Sequence, residues 1–118
     1  MSQAPSTFDP SRALAQVGDD AELLGEIAEL FFEDSPRMLA DIEAAIELGD
    51  AKALRYAAHA LKGSVANFAA DPLVGLSAQL ESLGNSGRID GARPLYTELV
   101  DSVETFETEL RNALAASP

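Results

Sequence analysis

The sequence predicts an all-α protein, an antiparallel four-helix bundle with a short extra N-terminal helix. No segment of the 118-residue chain alternates apolar and polar residues as a strand does, and apolar residues instead recur at helical spacing. Ala, Leu and Glu, which are strong helix formers, occur throughout. Long amphipathic helices with short connections bury their apolar stripes against one another, so a bundle is the expected architecture.

The chain shows no repeat, linker or second domain, so residues 1–118 are expected to form one domain in which residues 1–7 are a loose tail. A short first helix is expected after Phe8. Asp9 can cap this helix and Pro10 suits its first position. Gly18 then marks its end.

The second helix is expected to begin at Asp19 or Asp20 and to contain Pro36. Apolar residues on one face precede the proline and resume after it: Leu23, Leu24, Ile27, Leu30 and Phe31, then Met38, Leu39, Ile42, Ala45 and Ile46. A proline inside a helix removes a hydrogen bond and kinks or breaks it, so one kinked helix and two helices nearly end to end both fit. We expect the single kinked helix, closed by Gly49.

Asp50 is expected to cap a third helix that runs to about Ala70 and buries Leu54, Ala58, Leu61, Val65 and Phe68. Asp71 followed by Pro72 repeats the cap-then-proline start. The fourth helix then ends before Gly84 and buries Leu73, Leu76, Leu80 and Leu83.

The last helix is expected to begin near Asp90 and to tolerate Pro94, because a proline fits the first helical turn. Its apolar stripe consists of Tyr96, Leu99, Val103, Phe106 and Leu110. Together the predicted helices account for most of the chain.

The chain carries 20 acidic and 8 basic residues, a formal net charge of -12, and no cysteine. Such a charge repels phosphate backbones and anionic lipids, so neither nucleic acid nor a membrane is an expected partner. The lack of cysteine excludes disulfides, thiolate zinc sites and cysteine nucleophiles. No apolar run is long enough for a membrane span or a secretory signal, so we expect a cytoplasmic protein. The expected oligomeric state is a monomer.

Most enzymatic signatures are missing from the sequence. Lys62–Ser64 has its lysine before the glycine and follows no strand, unlike a phosphate-binding loop. Tyr56 stands three residues before the one histidine, where a di-iron bundle site needs a Glu. A Ser-His-Asp site is disfavoured, because a compact bundle offers no strained nucleophile turn. We therefore expect no metal, no cofactor and no nucleotide site of its own.

The single histidine, His59, is expected to face solvent, since it lies roughly 150° to 200° around its helix from the inward-facing Leu61. Exposed histidines commonly have no role, so position alone gives no function. Gly63, Ala66 and Ala70 share the outward face and make the surface beside the ring low. A glycine inside a helix destabilises it by about 0.5 to 1 kcal/mol relative to alanine, so Gly63 needs a reason. Access of a partner to the His59 ring is one reason, and a glycine that the helix merely tolerates is the alternative.

Three cations, Lys52, Arg55 and Lys62, flank His59 on its own side of the helix, and residues 51–70 contain no acidic residue. A solvated helix face explains any single lysine, but the spacing and the gap together favour a cationic patch. Neutral imidazole attacks phosphorus near pH 7, and Lys62 can neutralise the oxygens of the phosphohistidine. His59 is therefore the expected phosphoacceptor and Lys62 the expected phosphate-stabilising residue.

The stretch His59-Ala60-Leu61-Lys62-Gly63-Ser64 resembles the H-x-L-K-G-[SA] motif of the histidine-containing phosphotransfer (HPt) domains of bacterial multistep phosphorelays. The similarity spans roughly residues 20 to 85 and includes Leu30-Phe31-Phe32-Glu33-Asp34, Gly49-Asp50, Asn67 and Leu80-Glu81. One departure is Ala69, which stands where the family usually has a second glycine. This departure concerns how the helix ends, not the phosphoacceptor.

The resemblance implies a bundle whose His59 takes a phosphoryl group from the phospho-aspartate of one receiver domain and passes it to the aspartate of another. It also implies that Lys62 stabilises the phosphate, that Gly63 leaves room for the receiver, and that any Mg²⁺ belongs to the receiver. The expected partners are the receiver domains of a hybrid histidine kinase or a response regulator.

The expected docking face also includes Lys52, Arg55, Tyr56, Ala66, Asn67 and Phe32. Phe32 falls outside its apolar stripe, so it is either a receiver contact or partly buried against a neighbouring helix or the N-terminal segment. An alternative function is a bundle that docks receivers without being phosphorylated. An enzyme such as a phosphatase is a third reading, but it needs an amide or acid beside the site, and Asn67 lies two turns away.

Overall fold

The computed structural model describes residues 7–116 and contains five α-helices and no β-strand over that range. The helices are α1 (Pro10–Gln16), α2 (Ala21–Leu48), α3 (Ala51–Ala66), α4 (Asp71–Asn85) and α5 (Ala92–Ala116). The all-α prediction is confirmed. Within the described range, no helix is long and apolar enough to cross a membrane.

Residues 1–6 of the expected loose tail lie outside the described residues, but Thr7 does not fit that expectation. Thr7 is buried, and its backbone N–H donates to Glu109 Oε1 at 2.8 Å. Phe8 follows it into the core. The segment before α1 is therefore attached to α5 from Thr7 onward.

Aspartate caps begin the first three helices, as expected: the carboxylates of Asp9, Asp20 and Asp50 accept backbone N–H groups of the first turns. The cap predicted at Asp71 is wrong. Ala70 precedes α4 without a side-chain cap, and Asp71 is the first helical residue. Its carboxylate instead accepts a hydrogen bond from the Arg12 guanidinium at 2.8 Å, which ties α1 to the start of α4.

α2 runs unbroken through Pro36 to Leu48 and is capped by Gly49 in a left-handed conformation, so the prediction of one helix rather than two is confirmed. Its buried residues alternate at spacings of four and three: Leu24, Ala28, Phe31, Ser35, Met38, Ile42 and Ala45. Leu23 and Leu30, expected on this face, are exposed instead. Each precedes a buried residue by one position, which rotates it about 100° away from the stripe.

α3 ends at Ala66 rather than near Ala70. The Ala70 N–H donates to the Val65 carbonyl at 3.4 Å, and Ala69 adopts φ 54°, which is the pattern of a Schellman motif. Glycine normally holds that left-handed position, because a side chain there costs about 1 to 2 kcal/mol. The early turn lets Phe68 and Ala70 enter the core.

α4 continues past Gly84, which was expected to lie beyond its end. Gly84 is buried where the backbone of α4 approaches α3. A Cβ atom built on Gly84 lies 2.6 Å from the Ala51 carbonyl oxygen and 2.6 Å from the backbone nitrogen of Arg55. The glycine therefore serves helix packing rather than helix termination.

Each of the helices α2 to α5 packs against the next, and α5 returns to α2, while α1 packs on α2. Phe106 of α5 lies in the shared core, with its ring centroid 5.2 to 5.4 Å from those of Phe8, Phe31 and Phe68 in edge-to-face contacts. α5 begins at Ala92, two residues after Asp90, and buries the predicted Leu99, Val103, Phe106 and Leu110, while Tyr96 is half-buried.

Candidate functional site

His59 projects from α3 into solvent, with 67% of its side chain exposed. α3 buries the opposite side, through Leu54, Ala58, Leu61 and Val65. The exposure expected from the helical period is therefore observed. The ring also reaches the neighbouring helix, because its Nδ1 lies 2.7 Å from Glu81 Oε2 of α4.

Glu81 joins His59 to Lys62. Its second oxygen, Oε1, accepts a hydrogen bond from Lys62 Nζ at 2.5 Å, and both side chains of this pair are about one-quarter to one-third exposed (23% and 31%). The hydrogen bond from Lys62 lowers the pKa of Glu81; partial burial of the carboxyl opposes this shift, and the bond to His59 adds to it. The carboxylate is therefore ionised at neutral pH.

An ionised carboxylate only accepts hydrogen bonds, so a neutral imidazole must donate its Nδ1–H to Glu81. The lone pair of the ring is then on Nε2. A single carboxylate thus sets the tautomer of His59.

Sequence reasoning assigned Glu81 no role at the site. Glu81 lies 22 residues after His59, and only the packing of α4 on α3 brings the two side chains together. The one available signal was the Leu80-Glu81 pair within the family resemblance. The Glu81 carboxylate also pairs with Lys62, so the surface around the His59 ring is less cationic than the sequence implies.

The surface on the C-terminal side of His59 carries short side chains, so little projects beside the ring. Gly63 and Ala66 are exposed, and a Cβ built on Gly63 meets no atom within 4 Å. No packing within the described chain therefore requires a glycine at position 63. Asn67 is also exposed, in the turn after α3. Ala70, expected on this outward face, is instead fully buried, because the helix has already ended.

Arg55 and Tyr56 lie one turn before His59. The Arg55 guanidinium stands 4.7 Å from the centroid of the Tyr56 ring, and more than half of Tyr56 is exposed. Tyr56 borders a shallow, mainly alanine-lined groove of about 520 Å³ between α2 and α3, which also includes Leu48 and Ala60. Lys52, one more turn toward the start of α3, is exposed.

Phe32 of α2 lies next to Arg111 of α5. It is half-buried between α2 and α5, where the Arg111 guanidinium lies 3.8 Å from its ring centroid. The partial burial against a neighbouring helix that was expected as one interpretation of Phe32 is observed, with the ring stacked under Arg111. A contact between Phe32 and a receiver stays a prediction.

Fold and site together define a class of protein: a small all-α domain that presents an imidazole on an open helix face. The sequence profile of the Hpt domain matches residues 26–117, which is most of the chain. The chain therefore belongs to the Hpt domain family. Hpt domains transfer phosphoryl groups in the phosphorelays of two-component signalling and interact with receiver domains, and they are carriers rather than classical enzymes.

Two solved structures are similar to this fold. One is histidine-containing phosphotransfer protein B (HptB) from Pseudomonas aeruginosa PAO1, with a TM-score of 0.85 and 26% identity over 98% of this chain and 100% of that chain. The other is the HPT domain of a sensor hybrid histidine kinase from Shewanella, with a TM-score of 0.79 and 19% identity over 95% of this chain and 97% of that chain. A search of curated proteins finds no match.

Proposed function

We propose that this chain accepts a phosphoryl group on His59 Nε2 from the phospho-aspartate of a receiver domain and passes it to the aspartate of another receiver. The observation that carries the proposal is the hydrogen bond between His59 Nδ1 and Glu81, which assigns the free lone pair to Nε2. The proposed carrier is a single domain, an antiparallel four-helix bundle to which α1 is added.

In the transfer step, the Nε2 lone pair forms a bond to phosphorus while the bond between phosphorus and the receiver's aspartate oxygen breaks. The aspartate leaves as a carboxylate. Positive charge that develops on the ring is balanced by Glu81, which keeps its hydrogen bond to Nδ1. Donation to the second receiver is the reverse step with a different aspartate. Such loose transition states need positioning and charge stabilisation, which an open helix face together with its partner supplies.

The proposed docking face surrounds the ring. It comprises the low surface at Gly63 and Ala66, the exposed Asn67, and the Tyr56 side of the α2–α3 groove. Any Mg²⁺ that the reaction needs is proposed to be held by the receiver. Within residues 7–116 there is no group of three or more potential ligands for a metal ion.

Incubation with phosphorylated receiver domains tests this function. The expected result is acid-labile, alkali-stable phosphate on this protein, as a phosphohistidine requires. If several receivers bind the protein and none transfers phosphate to it, the chain is instead a docking module that is not phosphorylated.

Replacing Lys62 with Ala is expected to slow acceptance about ten- to a hundredfold without abolishing it, because charge stabilisation of about 1 to 3 kcal/mol is lost. The same change should raise the pKa of Glu81 toward its usual value, since the hydrogen bond from Lys62 is the main cause of its lowering. Transfer kinetics and an NMR titration of the Glu81 carboxyl measure the two effects. A wild-type transfer rate would make Lys62 a surface charge that only pairs with Glu81.

Glu81→Ala is expected to slow acceptance about tenfold, since Nδ1 loses its charged hydrogen-bond partner. The ¹⁵N chemical shifts of the imidazole should also move, from the Nδ1–H tautomer in the wild type to a mixture of tautomers in the variant. Glu98, an exposed glutamate of α5, provides the matched control, Glu98→Ala. Unchanged ¹⁵N shifts in Glu81→Ala would contradict the positioning role of Glu81.

A further inference from the structure

Three of the eight lysine and arginine side chains have no carboxylate partner in the part of the chain that the structure describes. The five others pair with Asp or Glu: Arg12, Arg37, Lys62, Arg93 and Arg111. The unpaired ones are Lys52, Arg55 and Arg88. In a chain with a net charge of -12, these three cations are available to bind a negatively charged partner.

The fold gathers these three cations at one end of α3 and α4. Gly84 of α4 packs against the backbone of Ala51 and Arg55, so the end of α4 lies beside the start of α3. Arg88 follows in the turn that closes α4, where its N–H donates to the Leu83 carbonyl at 2.9 Å. Lys52 is adjacent to Ala51 along α3. We call Lys52, Arg55 and Arg88 the basic end.

None of the carboxylates near the basic end forms an ion pair with its three cations within the described range. Asp50 caps α3 through the Ala53 N–H, and Glu47 pairs with Arg93. Asp90, two residues after Arg88, is exposed and makes no ion pair within the described range. An open cleft of about 300 Å³, lined by Arg55, Ala78, Glu81, Ser82 and Asn85, leads from the phosphoacceptor site toward this end.

We propose that the basic end binds an acidic edge of the receiver domain while the receiver's phospho-aspartate meets His59; this inference rests on the proposed function. A protein surface that carries an aspartyl phosphate and the carboxylates for its Mg²⁺ is strongly negative. Ala51 lies eight residues before His59, a distance of about 12 Å along the helix. A standard interface of about 800 Å² per partner has a radius of about 16 Å, so a receiver centred on His59 extends to the start of α3, beside which α4 ends.

The charge arrangement also gives the receiver an orientation. Among the described residues, the C-terminal side of His59 carries Gly63 and Ala66 and no cation without an ion-pair partner, whereas its N-terminal side leads to the basic end. An acidic edge is therefore directed toward the junction of α3 and α4. Steering of this kind acts on the association rate and weakens as salt rises, because the Debye length falls from about 10 Å at 0.1 M to about 3 Å at 1 M.

Arg88→Gln tests the proposal, with Asn112→Asp on α5 as the matched control, since both changes lower the net charge by one. At low salt, transfer from a phosphorylated receiver to Arg88→Gln is expected to slow about threefold, with a weaker salt dependence than the wild type. Asn112→Asp should transfer at the wild-type rate. Phosphoramidate, a small donor that needs no docking, measures the reactivity of the imidazole separately in every variant.

The outcomes separate the two claims. Equal rates of transfer from the receiver to Arg88→Gln and Asn112→Asp would contradict the proposal that the basic end binds the receiver, while leaving the phosphocarrier function intact. Labelling of the wild type by phosphoramidate but by no receiver would overturn both. A fall confined to Arg88→Gln, removed at high salt and absent with phosphoramidate, supports the assigned orientation.

Discussion

Substitution of His59 by Gln is expected to abolish phosphate acceptance and to leave the fold unchanged. The chain has no second histidine that can take over. Gln is similar in length, and its amide N–H can still bond to Glu81, but it offers no nitrogen lone pair to attack phosphorus. Because the side chain is mostly exposed, unfolding free energy should change by no more than about 0.5 kcal/mol.

Two measurements decide the result for His59→Gln. Label transfer from a phosphorylated receiver should fall to background, and far-UV circular dichroism with thermal unfolding should match the wild type. Residual acid-labile label on the variant would place the phosphate on another residue. Loss of the helical spectrum would mean that the histidine supports the core, against its position in the structure.

The second large effect is expected from Gly84→Ala, which should destabilise the protein by about 2 kcal/mol and lower Tm by roughly 8 °C. The new Cβ lies 2.6 Å from backbone atoms of Ala51 and Arg55, so the two helices must separate. Alanine's better helix propensity, about 1 kcal/mol over glycine, offsets only part of this strain. Glu81 lies one turn before Gly84, so displacement of α4 should also weaken the contact to His59.

Gly75→Ala is the matched control for this prediction. Gly75 lies on the same helix and is exposed, and a Cβ there meets no atom within 4 Å. This substitution should raise stability by about 0.5 to 1 kcal/mol, as alanine does in an open helical position. Chemical denaturation of both variants gives the comparison. Stabilisation by both substitutions would show that α3 and α4 are farther apart than the structure places them.

The helices and the exposure of His59 could be predicted because they depend on local spacing. Helix caps and helical periodicity depend only on residues that are close in sequence. The aspartate caps of α1, α2 and α3 are examples: Asp9, Asp20 and Asp50. The same locality explains the errors at the ends of α3 and α4. Whether α3 ends at Ala66 or Ala70 depends on which side chains pack into the core, and the spacing of apolar residues in the sequence does not specify this.

The sequence by itself determined the all-α class, the outward position of His59 and the motif that identifies the family. Tertiary structure alone decided that Glu81 bonds to the ring, that Gly84 permits the close approach of α3 and α4, and that Phe32 lies under Arg111. The physical reason is that helical periodicity fixes the direction of a side chain from its own axis. The partner it meets is fixed only when a second helix packs at a given distance and register.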